Sequence, residues 1–162
     1  MINKINQNIF QLNFQTFGST VYFIKLNNQN ILIDTSSKEN QQELLKDLNQ
    51  LNITPKDINI LILTHSHYDH VGNNDLFKNA KIITNNNTND LPKELKPIQT
   101  PGHTQDSFCI LYDDILFSGD TIFHEGGRGR TDLPGGNEQQ ILESIEKLKQ
   151  LNYKTLCPGH ID

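Results

Sequence analysis

Ile58-Asn59-Ile60-Leu61-Ile62-Leu63-Thr64-His65-Ser66-His67-Tyr68-Asp69-His70 is the stretch on which the reading of this chain turns. Its first half is apolar at nearly every position, the pattern of a strand covered on both faces. Its second half sets histidines and a carboxylate where that strand should end. In extended backbone, side chains two apart point the same way, so His65 and His67 can grip one ion. Asp69 and His70 lie just beyond, where the chain should turn into a helix, and can face a second. Composition alone would place this H-x-H-x-D-H spacing in such a chain with a chance on the order of 10⁻³. A lone histidine is ordinarily structural, but three behind a buried strand ask for a metal.

Upstream, the chain reads as strands. Ile9 to Gln15 alternates partly at period two, and Val21–Leu26 and Ile31–Ile33 follow, with Asn27 to Asn30 as the hairpin turn between them. Ser36 and Glu39 have the spacing of a capping box and open a helix with Leu44, Leu45, Leu48 and Leu51 on its apolar side. Downstream, a short helix is expected over Val71 to Phe77 and a strand over Lys81 to Thr84. A hairpin follows across Asp113-Asp114, joining Phe108–Tyr112 to Ile115–Phe117. Ile141, Leu142, Ile145, Leu148 and Leu151 mark the last helix, and Thr155–Cys157 the last strand. The Asn-rich run Asn85 to Asn89 reads as a surface loop. Strands in blocks separated by single helices favour a layered α/β architecture over a doubly wound sheet.

Three further segments carry candidate ligands, namely Pro101-Gly102-His103-Thr104, Ser118-Gly119-Asp120-Thr121 and Pro158-Gly159-His160. Each places one ligand in a turn beside a strand, and the glycine permits the tight turn that presents it. Cys109 sits in an apolar strand and reads as core, and Cys157 as a small buried filler. His124 lies outside the ligand set. Tyr68 can either line a pocket mouth or pack.

The bulk numbers bound the rest. At 162 residues the chain fits one domain with a real core, residues 1–162. A formal charge of −5 provides no global attraction for nucleic acid or anionic lipid. No apolar run is long enough to span a membrane and the N-terminus has no signal-like apolar region, so the expected compartment is the cytoplasm. A Gly-x-Ser-x-Gly elbow is missing, which argues against a serine hydrolase. The glycines at 126–129 are followed by no Lys-Ser or Lys-Thr, so they form no P-loop.

The four ligand segments, in this order, resemble the metallo-β-lactamase superfamily, and Ile31-Leu32-Ile33-Asp34-Thr35 resembles its strand end before the first helix. The resemblance implies a four-layer αβ/βα sandwich with two mixed β-sheets. It also implies two divalent metal ions, zinc foremost, with iron or manganese as alternatives. His65, His67 and His103 would bind the first, Asp69, His70 and His160 the second, and Asp120 would bridge them. Common zinc β-lactamases carry cysteine where Asp120 stands and lack the His70 equivalent. Asp120 and His70 instead resemble the glyoxalase II (hydroxyacylglutathione hydrolase) branch. Gly129-Arg130-Thr131-Asp132-Leu133-Pro134-Gly135-Gly136 resembles a stretch of short glyoxalase II-like and persulfide dioxygenase-like proteins. Its glycines would let backbone approach a ligand, and Arg130 would offer a forked donor to a substrate carboxylate or pair with Asp132.

The resemblance thus implies a thioester hydrolase acting on a small molecule such as an acylglutathione, through a hydroxide held between the ions, with Asp69 steering its proton. The chain stops at Asp162, without the C-terminal helical domain of full-length glyoxalase II, which weakens the expectation of glutathione itself. The alternative is a dioxygenase with a single iron on His65, His103 and Asp120. A nuclease is disfavoured by the acidic charge and the lack of a basic-aromatic patch, and a non-catalytic binding protein by the full ligand set. The sequence is silent on oligomeric state.

Overall fold

A computed structural model describes residues 1–161. The chain divides into two units, Met1–Ile83 and Thr84–Asp162, each built around its own sheet.

In the first unit six strands lie in chain order: β1 (Ile2–Lys4), β2 (Ile9–Leu12), β3 (Val21–Leu26), β4 (Gln29–Ile33), β5 (Ile60–Ile62) and β6 (Lys81–Ile83). The pairings from β1 to β4 are antiparallel, and β4–β5 and β5–β6 are parallel. The β3–β4 hairpin is tighter than expected. Asn27 and Asn28 alone make the turn, at φ 50° and 61°, a left-handed pair that matches strand twist and that asparagine tolerates. Gln29 and Asn30 therefore belong to β4.

The parallel crossover from β4 to β5 carries helix α1 (Gln41–Gln50). Leu44 and Leu48 on its inner face are fully buried with Leu12, Val21, Phe23, Leu32 and Leu61 of the sheet. The Ser36–Glu39 capping box does not form. Ser36 is left-handed at φ 60°, and its hydroxyl accepts from the Asn40 amide at 3.0 Å. Asn40 also donates to the Thr16 carbonyl, and Ser37 to the Phe17 carbonyl, so these polar groups hold a distant loop rather than the helix end. The helix expected over 71–77 also begins earlier. Extended His67 starts α2 (Tyr68–Val71), and a short 3-10 turn over Asn74–Leu76 follows it.

The second unit has four strands in the order β10-β9-β8-β7: β7 (Lys96–Gln99), β8 (Phe108–Tyr112), β9 (Ile115–Gly119) and β10 (Thr155–Pro158). β10 runs parallel to β9, and the other pairs are antiparallel. β7 was not foreseen, because Pro97 within it argues against a strand; it is tolerated at the sheet edge. Helix α3 (Glu138–Lys149) starts at Asn137, whose side chain accepts from Gln140 N at 2.9 Å. Leu148 packs with Cys109 and Leu116, flanked by Ile98, Leu151 and Leu156. The Asn-rich run is a 3-10 segment, Asn85–Asp90, capped by Thr84. Two mixed sheets with helices make this the expected α/β class. Among the described residues no helix is long and apolar enough to cross a membrane.

Candidate metal centre

In the first unit the site is built on two parallel neighbours. β4 ends at Ile33, and Asp34 just beyond it is left-handed at φ 60° and donates its N–H to the Ile62 carbonyl of β5. Its buried carboxylate therefore faces Thr64, two residues beyond the end of β5. Asp34 Oδ1 accepts from Thr64 N at 2.8 Å, and Oδ2 accepts from Thr64 Oγ1 at 2.8 Å and from His70 Nδ1 at 2.7 Å. Thr64 has given its one hydrogen to Asp34, so its oxygen accepts from His65 Nδ1 at 3.1 Å. Both histidines thereby carry the ring proton on Nδ1 and present an Nε2 lone pair, a tautomer assigned from the network.

Those lone pairs face other potential ligands. His65 Nε2 lies 3.2 Å from His67 Nδ1, and His70 Nε2 lies 4.0 Å from Asp69 Oδ2. The His65 and His70 ring centroids are 4.0 Å apart. Helix α2 is pinned in this pose, because the His70 carbonyl accepts from Thr35 N and the Asp69 carbonyl from Ser19 N. Gly72 beside it approaches the backbone of Ser36 and Lys38 closely. Tyr68 points outward, 68% exposed, which excludes a packing role.

The second unit gathers its three candidates on one carboxylate oxygen. Asp120 follows Gly119, left-handed at φ 49°, at the end of β9. Gly159, just beyond the adjacent parallel β10, donates to the Gly119 carbonyl at 2.7 Å, which sets His160 beside Asp120. Asp120 Oδ2 lies 3.5 Å from His103 Nε2 and 3.4 Å from His160 Nε2. The Phe123 and His160 rings meet edge to face, with centroids 6.0 Å apart. His103 stands in the turn after β7, where Gly102 adopts φ 137°. Its Nδ1 donates to the Arg130 carbonyl at 2.7 Å, so Nε2 is again the nitrogen that lacks the proton.

Of the two expectations for Arg130, a donor to a substrate carboxylate or a partner of Asp132, the structure has the pair: its guanidinium forks onto Asp132, at 2.7 and 2.5 Å, and holds that carboxyl down to about 2. Cys109 is core as expected. It lies among Thr100, Thr121 and the Ser118 carbonyl, and burial pushes its thiol up to about 11. Cys157 is buried as well. Asp34 and Thr64 are the residues that sequence reasoning left without a role. Their signal, a carboxylate at one strand end and a hydroxyl at another, becomes legible only once the β4–β5 register is known.

A family model described as the metallo-beta-lactamase superfamily matches residues 15–85 and 88–160. The chain belongs to that superfamily. It is 36% identical over 143 residues to a "probable metallo-hydrolase" of Methanocaldococcus jannaschii, spanning 80% of this chain and 70% of that protein. It is 30% identical over 122 residues to a hydroxyacylglutathione hydrolase of Psychromonas ingrahamii, covering 62% of this chain and 46% of the other. Among solved structures, ETHE1 from Myxococcus xanthus superposes with a TM-score of 0.75 at 24% identity, over 94% of this chain and 75% of that one.

Superfamily membership together with this His/Asp set suggests a binuclear divalent-metal site. The donor chemistry fits. In the neutral tautomer, His103 Nε2 and Asp120 Oδ2 are two acceptors face to face at 3.5 Å, an arrangement that a cation between them relieves. Fixed imidazole nitrogens with carboxylates are the ligand types of zinc, iron and manganese. Hydrogen bonds on the far side of each ring are what such ligands ordinarily have.

Proposed function

We propose that the protein is a metal-dependent hydrolase of thioesters. It would hold one divalent cation on His65, His67 and His103 and a second on Asp69, His70 and His160, with Asp120 shared and zinc the foremost candidate. The observation that carries this reading is the fixed presentation of Nε2 by His65, His70 and His103, each backed by a hydrogen bond to Nδ1. The thioester is supported by the hydroxyacylglutathione hydrolase relative and by Asp120 and His70 in the ligand pattern.

When bound, the two cations supply Lewis acidity toward a carbonyl oxygen and make a water they hold acidic enough to attack at neutral pH. The chain's own residues set the rest. Asp69 would accept and steer that water's proton, and its helix is held by Ser19 and Thr35. Asp34 and Thr64 keep the rings of His65 and His70 from turning. Arg130 offers its fork to a substrate carboxylate, such as that of a glutathione moiety, in exchange for Asp132.

The test is metal content per chain on protein purified without added metal, together with hydrolysis of an acylglutathione followed by thiol release. About two zinc ions per chain, with activity lost on chelation and restored by zinc, support the reading. Wild-type activity in Asp120→Ala would sink it. So would one iron per chain with oxygen uptake on glutathione persulfide.

A further inference from the structure

The glycine-rich run 126–129 invites the reading that backbone there approaches a bound molecule. The structure assigns it another neighbour. We propose that Gly129 is a positioning residue for His103, carrying the main chain past the imidazole so that the Arg130 carbonyl meets Nδ1 and fixes the tautomer.

The path starts at β9. Ser118 Oγ donates to the Ile122 carbonyl at 2.7 Å, and Ile122 pairs with Arg128 in an isolated antiparallel bridge. Between them Phe123 N donates to the Gly127 carbonyl at 2.7 Å, and the turn is made by Glu125 and Gly126 at φ 56° and 81°. This small hairpin returns the chain so that residue 129 lies against residue 120. A Cβ on Gly129 would stand 2.8 Å from both Cγ and Nδ1 of His103 and would overlap the Asp120 carbonyl oxygen. Carbon contacts are comfortable near 3.5–4.0 Å. The obstructing groups are a backbone carbonyl and a ring only 3% exposed, so no flexible side-chain end can give way.

On both sides of Gly129 the segment is tied down at the surface. Arg128 and Thr131 Oγ1 both donate to the Glu138 carboxylate, at 2.6 and 2.8 Å. Asn137 N donates to the Gly102 carbonyl at 2.7 Å. The stretch 128–137 thus grips His103 twice, at the ring through Arg130 O and at the preceding peptide through Asn137. The guanidinium of Arg130, exposed and paired with Asp132, takes no part in this grip.

Calling His103 a metal ligand rests on the proposed function above, but the tautomer does not, and the two can fail separately. The experiment is long-range ¹H–¹⁵N NMR of the imidazoles in metal-free protein above the imidazole titration range, with zinc affinity measured by chelator competition. In the wild type, His103 is expected to carry its proton on Nδ1. Gly129→Ala should lose that fixed tautomer and bind zinc roughly 10–100-fold more weakly. Arg130→Ala should keep both, since the contact is made by the main chain. Retained Nδ1–H signals of His65 and His70 report that Gly129→Ala has folded. If it does not fold, Thr131→Val combined with Glu138→Gln unpins the same stretch from outside and should speed solvent exchange of the His103 Nδ1 proton several-fold. A wild-type proton on Nε2, a folded Gly129→Ala with unchanged tautomer and affinity, or an unchanged exchange rate in the double variant overturns the proposal. A correct tautomer in a protein without thioesterase activity leaves this inference standing and removes the hydrolase.

Discussion

Replacing Asp34 by asparagine keeps the size of the side chain and inverts half of its chemistry. Asp34 accepts from Thr64 N, Thr64 Oγ1 and His70 Nδ1, so an amide NH₂ in place of Oδ2 would point a donor at two donors. His70 would then swing or change tautomer, and Thr64 would no longer be committed as acceptor for His65. Asp34→Asn is expected to weaken zinc binding roughly 10–100-fold with little change in far-UV circular dichroism, as a chelator-competition titration can show. Thr64→Val removes the acceptor of His65 and one donor to Asp34 but leaves the Asp34–His70 bond in place, and should cost less than Asp34→Asn. At the surface, the Arg130–Asp132 pair has a defined pH signature. The Asp132 carboxyl is lowered from 3.8 to about 2 by Arg130, so whatever the pair contributes is complete above about 3.8 and is lost as pH falls through about 2. A carboxyl titration by NMR should find that low midpoint, and Arg130→Ala should raise it. Stability at neutral pH should hardly move, since exposed pairs contribute little.

At the scale of elements, α2 carries two candidate ligands on a single turn of helix and depends on close packing to hold its place. A Cβ at Gly72, its C-terminal neighbour, would lie 2.5 Å from Lys38 N and 2.7 Å from the Ser36 carbonyl. Gly72→Ala is therefore expected to cost about 1–3 kcal/mol in urea denaturation, as overpacking against fixed backbone does. An unchanged midpoint would mean that the segment 36–38 yields freely. The same segment shows what could be read in advance. The strands around Phe23, Leu32 and Leu61 and the helix around Ile141 and Leu148 were legible, since apolar periodicity follows burial. The His run and the turns at His103, Asp120 and His160 were legible because ligand types at strand ends form an uncommon pattern. The Ser36 region was not. Its local spacing suggested a cap, while the carbonyls of Thr16 and Phe17 drew Asn40 and Ser37 into tertiary hydrogen bonds that no short window contains. The grip of Arg130 on His103 was hidden for the same reason, because a carbonyl has no letter in the sequence.

For the molecule as a whole, folding and metal binding should be linked. A ligand that binds only the folded chain stabilises it by RT ln(1 + [L]/Kd), about 2.7 kcal/mol at a hundredfold excess over Kd. For a chain of this length that corresponds to a rise of roughly 5–10 °C in the melting temperature. Calorimetry with zinc and after chelation should show this rise, and coincident melts would argue that the site is not filled. The outer strand of the second sheet bears on encounters between molecules. Thr100 N donates to the Ser107 carbonyl beyond the end of β7, and alternation along an antiparallel ladder then turns the main-chain N of Pro97 and Gln99 away from β8. At Pro97 that outward position has no hydrogen to give. A strand arriving from another chain would meet a ladder with a missing rung beside the charged Lys96, which is how natural sheets discourage edge-to-edge aggregation. The proline that hid this strand from sequence reading thus also guards its edge.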